Sequence, residues 1–586
     1  MRPPIAIVGW GCALPGALDP GALWDLVRTG AVAIGPTRDD AWGLDPRADA
    51  AALATQIAST TGGYVRGLPP DPTGDDSVAY ATHAARGAVA SAGLDPGDRR
   101  PRGAVILGNL GYPTRAMAED LRIRGFPARG AHDHPRAAAA IVAHRLGFEL
   151  GGVALDAACA SSLVAIGLAC DQLSLGDADV VLTGGVNASD DLFLHLGFTA
   201  LGASSPTGRS RPFHRGADGL VPAHGAAVVV LERLDDALAR RAPILGLVRG
   251  VGLANDGRTR GALVPDSDGQ VRAIAAAHAQ GGVDRRKVSY VECHATGTPT
   301  GDAVELASLA RVFDVARGLP IGSSKANLGH ALTAAGAAGV LKVLAMFAAR
   351  ELPPSPHADD PIDGFGESLR LVRSVERWES VEPLLAGVDA FGFGGNDAHV
   401  VLEAWEGQRR RVAPQPPTPP EPVGVVGWAR APAGPLEVDL DGLRLPPSDA
   451  ELALPGHLTG WRVARDAIGD RALPPRTSVW SVFATDPLVA RCGLRWRDVD
   501  AAGGWVTDEP LSAGRVLGCM ANLAANRLNA GLDLRGPSGA LAAGADSDGV
   551  ALAIAADALA RREVDAALVV GLRAAVVLRR LADARA

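Results

Sequence analysis

The chain is 586 residues long, enough for three or four domain-sized units. Its net charge of −8 implies no overall surface for nucleic acid or an anionic membrane, so an acidic carrier protein would need a local basic patch. Six cysteines (Cys12, Cys159, Cys170, Cys293, Cys492, Cys519) follow no metal or disulfide spacing, which points to a reducing, cytoplasmic compartment.

The chain enters a strand at 5–8 with no signal peptide before it, and no apolar run reads as long enough to span a bilayer. A helix is expected over 78–92 and strands over 104–107 and 153–155. Cys159 follows in Asp156-Ala-Ala-Cys-Ala-Ser-Ser162, after the strand-like 151–155 and before a run over 161–175 in which Leu163, Ile166, Leu168 and Leu173 fit a helix. At such a junction the unpaired N–H groups and the helix dipole favour the thiolate, which is the nucleophile. A buried structural cysteine is the alternative.

Strands at 180–183 and 227–231 and a helix at 271–280 come next. Tyr290-Val-Glu-Cys-His294 then closes a strand-like run (288–292) and enters a turn holding Thr296, Thr298 and Asp302. Ile321-Gly-Ser-Ser-Lys325-Ala-Asn-Leu-Gly-His330 repeats that pattern before a helix at 334–349. A cysteine and two histidines, each where a strand gives way to a helix, form a nucleophile with an acid/base set. Val388-Asp-Ala-Phe-Gly-Phe393-Gly-Gly-Asn396 is a glycine-rich turn that can bring N–H groups close to a ligand, or an ordinary tight turn. A strand at 400–402 ends this part, and the alternation of strands and helices argues for α/β layers.

Residues 406–422 contain the Pro-rich stretch 409–422, which cannot hold a helix or a central strand and reads as an extended linker. After it the beginning repeats. Val423-Gly-Val-Val-Gly-Trp428 echoes Ile5-Ala-Ile-Val-Gly-Trp10, residues 525–537 echo 143–152, and 564–571 echo 178–185. The second copy reads Leu541-Ala-Ala-Gly-Ala-Asp-Ser547 where the first has its cysteine, Cys519 lies too far upstream to substitute, and nothing matches the histidine segments. Leu532, Leu534, Val550, Leu552, Ile554, Leu559, Leu568, Val569 and Val570 would be left uncovered in such a half-fold. The segment should therefore dock on the first unit, pair with another chain or be marginally ordered.

With these segments in place, residues 3–405 resemble a β-ketoacyl synthase of the thiolase superfamily. The cysteine and first histidine segments are similar to those of modular polyketide synthases, and 205–225 to the polyunsaturated fatty acid and glycolipid branch. The resemblance implies a five-layered α-β-α-β-α sandwich of two similar halves, about 1–235 and 236–405. The implied reaction is decarboxylative Claisen condensation of malonyl-carrier with an acyl chain on Cys159. His294 and His330 would serve decarboxylation, the N–H groups of Cys159 and Phe393 would form the oxyanion hole, and Phe393 would gate the acyl site. Lys325 and Glu305 match supporting positions, where a salt bridge is the alternative role. Thr296 and Thr298 match hydroxyls that hold pantetheine, where turn formation is the alternative.

No metal or bound cofactor is implied; phosphopantetheine would arrive on an acyl carrier protein. The resemblance also implies a homodimer, with 151–155 as the candidate strand pairing across its two-fold axis. Residues 423–586 resemble part of a chain-length factor, and a non-catalytic scaffold describes them but not 1–405. A thiolase would need a second cysteine near Phe393, and a cysteine hydrolase would leave Lys325 and one histidine unexplained. Asn396-Asp397 and His224 depart from the family pattern.

Overall fold

The computed structural model describes residues 4–584 except 38–41, 45–49, 96, 118–133, 259–260, 314–317, 380–382, 408–420, 435, 444 and 484–510. Most of the Pro-rich stretch and Cys492 lie outside the described residues.

The first half-unit runs β1 (Ile5–Ala13), α1 (Asp76–Ser91), β2 (Gly103–Gly108), α2 (His134–Arg145), β3 (Gly152–Asp156), α3 (Ser161–Leu175), β4 (Val180–Asn187) and β5 (Gly225–Arg233). The second adds β6 (Gly246–Asn255), α4 (Ser267–Gly281), β7 (Tyr290–Glu292), α5 (Pro299–Val312), β8 (Leu319–Gly322), α6 (Ala335–Ala349), β9 (Leu369–Leu371), β10 (Leu385–Gly392) and β11 (Asn396–Glu403). Helices α1 and α2 cover one sheet and α4 the other, while α3 and α6 lie between the sheets. This is the expected five-layered sandwich. The middle helices have neighbours on almost every side, so they are apolar all round rather than striped. The windows Ala158–Leu175 and Leu332–Ala349 are long and apolar enough to cross a membrane by length and composition only, contrary to the sequence reading. Both are mostly buried as the central layer of this fold.

The second copy comprises β12 (Val423–Arg430), α7 (Pro455–Ile468), β13 (Thr477–Val482), α8 (Ala513–Cys519), α9 (Leu523–Leu532), β14 (Ser538–Ala542), α10 (Ser547–Ala560), β15 (Ala566–Val570) and β16 (Ala574–Arg580). Its strand order, β14-β13-β15-β16-β12, repeats β3-β2-β4-β5-β1. The repeat extends to details. Strand β1 has a register shift between Ile7 and Gly9 against β5, and β12 has one between Val425 and Gly427 against β16. A Cβ on Gly9 would lie 2.2 Å from the carbonyl oxygen of Ala88, and one on Gly427 2.1 Å from that of Ala467. Only glycine lets strand and helix approach so closely.

One match is shifted from the sequence reading. Phe148 N–H donates to Ala143 O and Leu534 N–H to Asn529 O, each at 2.9 Å. The left-handed residues preceding them are Gly147 (φ 70°) and Asp533 (φ 54°). Asn529 therefore occupies the place of Ala143, one helical turn from the alignment that pairs Ala525 with Ala143. The alanine-rich helix matches itself nearly as well four residues out of step.

The two copies join edge to edge. Strand β14 pairs antiparallel with β3 in the register Ala540↔Asp156, Leu541↔Leu155, Ala542↔Ala154, a local two-fold axis through the two leucines. The edge expected to pair with a second chain is thus taken within the same chain, which removes an exposed ladder. Leu155, Leu163, Trp480, Leu541, Leu559 and Val569 belong to one core spanning the junction, and Arg561 pairs with Asp171 of α3 at 2.9 Å. Of the residues expected to be uncovered, Leu534, Leu559, Leu568, Val569 and Val570 are buried. Leu532, Val550, Leu552 and Ile554 are half-buried. The uncovered surface lies instead on β12, where Val425 is 60% and Trp428 71% exposed; Ile7, the counterpart of Val425, is fully buried.

Candidate active site

Cys159 sits on a tight elbow between β3 and α3. Ala158 has φ 53°, a conformation costly for a residue with a Cβ. Two side chains hold it. Asp156 accepts hydrogen bonds from the N–H groups of Gly111 (2.8 Å) and Ala158 (2.9 Å). Ser161 Oγ accepts from Ala157 N–H (2.9 Å) and donates to Ala158 O (2.5 Å). Gly392, closing β10, packs against this elbow; a Cβ there would lie 2.6 Å from Ala157 O. The second copy keeps the turn without the chemistry. Ser547 Oγ accepts from Ala543 N–H at 2.8 Å and donates to Gly544 O at 2.7 Å, which places Ala545 where Cys159 stands.

His330 Nε2 lies 3.0 Å from Cys159 Sγ. The rings of His330 and His294 meet edge to face with centroids 5.3 Å apart. One ligand-type atom from each of Cys159, His294 and His330 lies within 4.8 Å of the other two, so the three sequence-expected residues converge. His294 is fixed through its backbone. Glu305, on α5, accepts the N–H groups of His294 (2.7 Å) and Ala295 (2.6 Å) on its two carboxylate oxygens. Asp302, one turn earlier, accepts those of Thr296 (3.1 Å) and Gly297 (3.2 Å). Glu305 is therefore a clamp on the histidine loop rather than a salt-bridge partner of Lys325. Buried Lys325 donates from Nζ to Cys293 O at 3.4 Å.

Electrostatics correct one expectation. Burial pushes the Cys159 thiol up to about 12; Lys325 pulls it down, Asp156 pushes it up, and the N–H groups of Cys159 and Phe393 pull it down. Burial holds both histidines well below their ordinary value, with Lys325 acting in the same direction. Burial thus favours a neutral thiol beside a neutral imidazole over a preformed thiolate. Cys159 precedes helix α3 by two residues, and desolvation outweighs the helix end there. The N–H groups of Cys159 and Phe393 both favour negative charge at the sulfur, which fits an oxyanion hole.

Two cavities meet at Cys159 and Phe393. The larger, about 270 Å³, is lined by His294, His330, Thr296 and Thr298, with the two threonine hydroxyls 3.0 Å apart. The smaller, about 30 Å³, is apolar; Phe198, Phe193 and Tyr112 line it together with Val516 and Met520 of the second copy. Phe393 faces both cavities, in the position of a gate.

Several site residues carry no signal in a single sequence. Glu292 accepts Ser324 N–H at 2.6 Å and pairs with Lys342 at 2.7 Å, and so ties the Lys325 turn to α6. Asp397 meets Asp256 beside α4, and burial pushes Asp256 up to about 7 and Asp397 well above its ordinary range. His224 lies 3.5 Å from Asp191, in a cluster with Tyr64 and His195 that does not line either cavity.

Comparisons agree with this geometry. The sequence model described as "Beta-ketoacyl synthase, N-terminal domain" matches residues 2–237 and 438–583, and "Beta-ketoacyl synthase, C-terminal domain" matches 245–359. The chain is 36% identical over 442 residues to a phenolphthiocerol/phthiocerol polyketide synthase of Mycobacterium bovis, covering 70% of this chain and 23% of that protein. It is 34% identical over 430 residues to 5-methyl-1-naphthoate synthase of Streptomyces sahachiroi, covering 68% and 24%. The chain thus spans about a quarter of the length of these relatives. Among solved structures, a PfaC keto synthase-chain length factor superposes with TM-score 0.86 at 23% identity, over 99% of this chain and 79% of that one. The ketosynthase from module 6 of the Bacillus subtilis bacillaene synthase superposes with TM-score 0.62 at 29% identity, over 70% and 73%. With its cysteine and histidine segments converging in that fold, this chain belongs to the β-ketoacyl synthase family.

Proposed function

We propose that residues 1–405 catalyse decarboxylative Claisen condensation between malonyl-carrier and a Cys159-bound acyl chain, in polyketide or related fatty acyl biosynthesis. The observation that carries this is the Cys159–His330 contact at 3.0 Å with His294 beside it, on the wall of the cavity that Thr296 and Thr298 also line.

In loading, the thiol proton passes to His330 Nε2 as Sγ attacks the thioester carbonyl. The N–H groups of Cys159 and Phe393 receive the oxyanion, each worth roughly 3 kcal/mol of barrier by analogy with other oxyanion donors. Collapse expels the carrier thiol, which takes the proton back. In condensation, carbon dioxide leaves malonyl-carrier and the electron pair moves to the thioester oxygen as an enolate. Neutral His294, and His330 once its proton has moved from Nδ1 to Nε2, suit that step, because an Nε2–H donor stabilises an enolate without first losing its proton. The enolate carbon attacks the acyl carbonyl, and the cysteine departs. Phosphopantetheine is supplied by the carrier, with Thr296 and Thr298 placed along its path.

Residues 423–586 act, in the same reading, as a chain-length-factor-like partner. Their support is the alanine in the nucleophile's place and the Val516 and Met520 side chains on the wall of the acyl cavity. The test is product analysis. The wild type should form a β-ketoacyl-carrier from acyl- and malonyl-carrier, and Cys159→Ala and His294→Ala should not. Product from Cys159→Ala would exclude this mechanism.

A further inference from the structure

The loop bearing Phe393 is held from both copies: Gly395 N–H donates to Gly392 O at 3.0 Å, Gly394 N–H to Ala262 O at 2.8 Å, and Asn255 Nδ2 to Gly394 O at 3.2 Å. Gly394 (φ 91°) and Gly395 (φ 82°) both adopt left-handed backbone, and only one residue separates the end of β10 from this turn. The second copy supplies much of its support. Asn522 Nδ2 donates to Phe393 O at 2.8 Å, and Asn526 Nδ2 donates to Gly394 O at 2.8 Å and to Asn396 Oδ1 at 3.0 Å. Ser538 Oγ donates to the same Asn396 oxygen at 2.7 Å. Asn522, Asn526, Ser538 and Asn396 are all at least nine-tenths buried. Contact is also tight, since a Cβ on Gly394 would lie 2.8 Å from Asn526 Cγ.

The polar set is one-sided. In the superposition fixed by the shared helix ends, Asn526 corresponds to Ala140 and Ser538 to Gly152, neither of which carries a side-chain donor. Asn526 and Ser538 thus carry donors, on the copy that faces a cysteine and two histidines, where the counterpart residues have none; Asn522 corresponds to Arg136 and is no part of that contrast. Cohesion of the interface alone would not require that asymmetry.

We infer that Asn526, with Asn522, is a positioning residue for the reaction at Cys159: from the second copy it fixes the Phe393–Asn396 loop so that the Phe393 N–H stays aimed at the sulfur. The inference rests on the ketosynthase reading only for its kinetic arm. Asn522→Ala takes from Phe393 O its 2.8 Å donor, and Asn526→Ala leaves Gly394 O with the longer 3.2 Å bond from Asn255 alone, so truncating either asparagine should loosen the loop.

The test uses the full chain with Asn526→Ala, Asn522→Ala and, as interface control, Arg561→Ala, which breaks the ion pair to Asp171 far from the loop. The first readout is the rate of Cys159 alkylation by iodoacetamide at fixed pH, mapped by peptide mass. The second is the split between kcat and KM for condensation. Both asparagine variants should alkylate about threefold to tenfold more slowly, as expected when a hydrogen bond to a thiolate is weakened. They should lose about tenfold or more in kcat, below the loss from removing an oxyanion donor outright, with KM for carrier little changed. Arg561→Ala should leave both readouts at wild-type values. Wild-type alkylation in the asparagine variants, or equal slowing in Arg561→Ala, would overturn the assignment. Slowed alkylation in a protein that never condenses acyl-carriers would instead leave the positioning role standing and remove the ketosynthase reading.

Discussion

Replacing Asp397 by asparagine should make this protein more stable at pH 8 while changing little at pH 5. Asp256 and Asp397 face one another at the start of α4. A Cβ on Gly269 would lie 1.9 Å from Asp256 Oδ1 and 2.4 Å from Asp397 Oδ2, so both carboxyls pack against the same glycine of α4. Two carboxylates cannot both ionise there, and burial raises both pKa values, with Asp256 at about 7. The sign follows from proton binding. The folded chain keeps protons that the unfolded chain releases above about 4, so stability falls as pH rises from there through 7. For Asp256 alone, the span from 3.8 to about 7 at about 1.36 kcal/mol per pH unit comes to roughly 4 kcal/mol. Asparagine removes one titrating group while keeping a donor toward Asp256, whose pKa the hydrogen bond from Asp397 already lowers. Urea unfolding midpoints at pH 5 and pH 8 would show this. The wild type should lose more stability than Asp397→Asn between the two conditions, about 1.4 kcal/mol for each pH unit over which Asp397 keeps its proton in the folded chain alone. Parallel losses in both proteins would refute the shared-proton account.

Three further outcomes follow from the packing and the site. His294→Ala should cut malonyl decarboxylation about a hundredfold or more while sparing acyl loading, and His330→Ala should slow both, because only His330 touches the sulfur. Carbon dioxide release and acyl-enzyme formation measured side by side would separate them, and identical profiles would contradict the division. Leu541→Ala, at the fully buried centre of the β3–β14 junction, should cost about 2–5 kcal/mol in thermal or chemical unfolding. A cost under about 1 kcal/mol would mean that the junction is loosely packed. Residues 423–586 expressed alone should not give a monodisperse monomer by sedimentation, since β14 would become an open edge and Leu541 and Trp480 would lose the core they share with Leu155.

The parts of the site legible in the sequence are those with local signatures. Cys159, His294 and His330 each follow a short apolar strand, and the glycine-rich turn after Val388 marks a close backbone approach. Which way these segments face is a property of the sandwich, and only the fold brings them within 4.8 Å. Burial opposes the thiolate expectation, because a helix-end argument takes no account of desolvation, which here pushes the thiol up to about 12. The homodimer edge fails for a related reason. Strand β3 is an edge in the first copy, as expected, yet a linked second copy is always at high local concentration and takes that edge first. The asparagine clamp leaves no trace in the sequence, because Asn522 and Asn396 are 126 positions apart and nothing local distinguishes a buried amide that meets a remote loop. The echo at 525–537 reads one turn out of step because alanine-rich helices resemble themselves every four residues.

The most direct test of the central claim is a two-stage mass measurement on the full chain. Incubation with acyl-carrier should add one acyl group, mapped to the peptide containing Cys159. Subsequent malonyl-carrier should remove it, with one carbon dioxide released for each acyl group lost. An acyl group on Cys170 or Cys293, or one discharged from Cys159 to water without carbon dioxide release, would contradict the account.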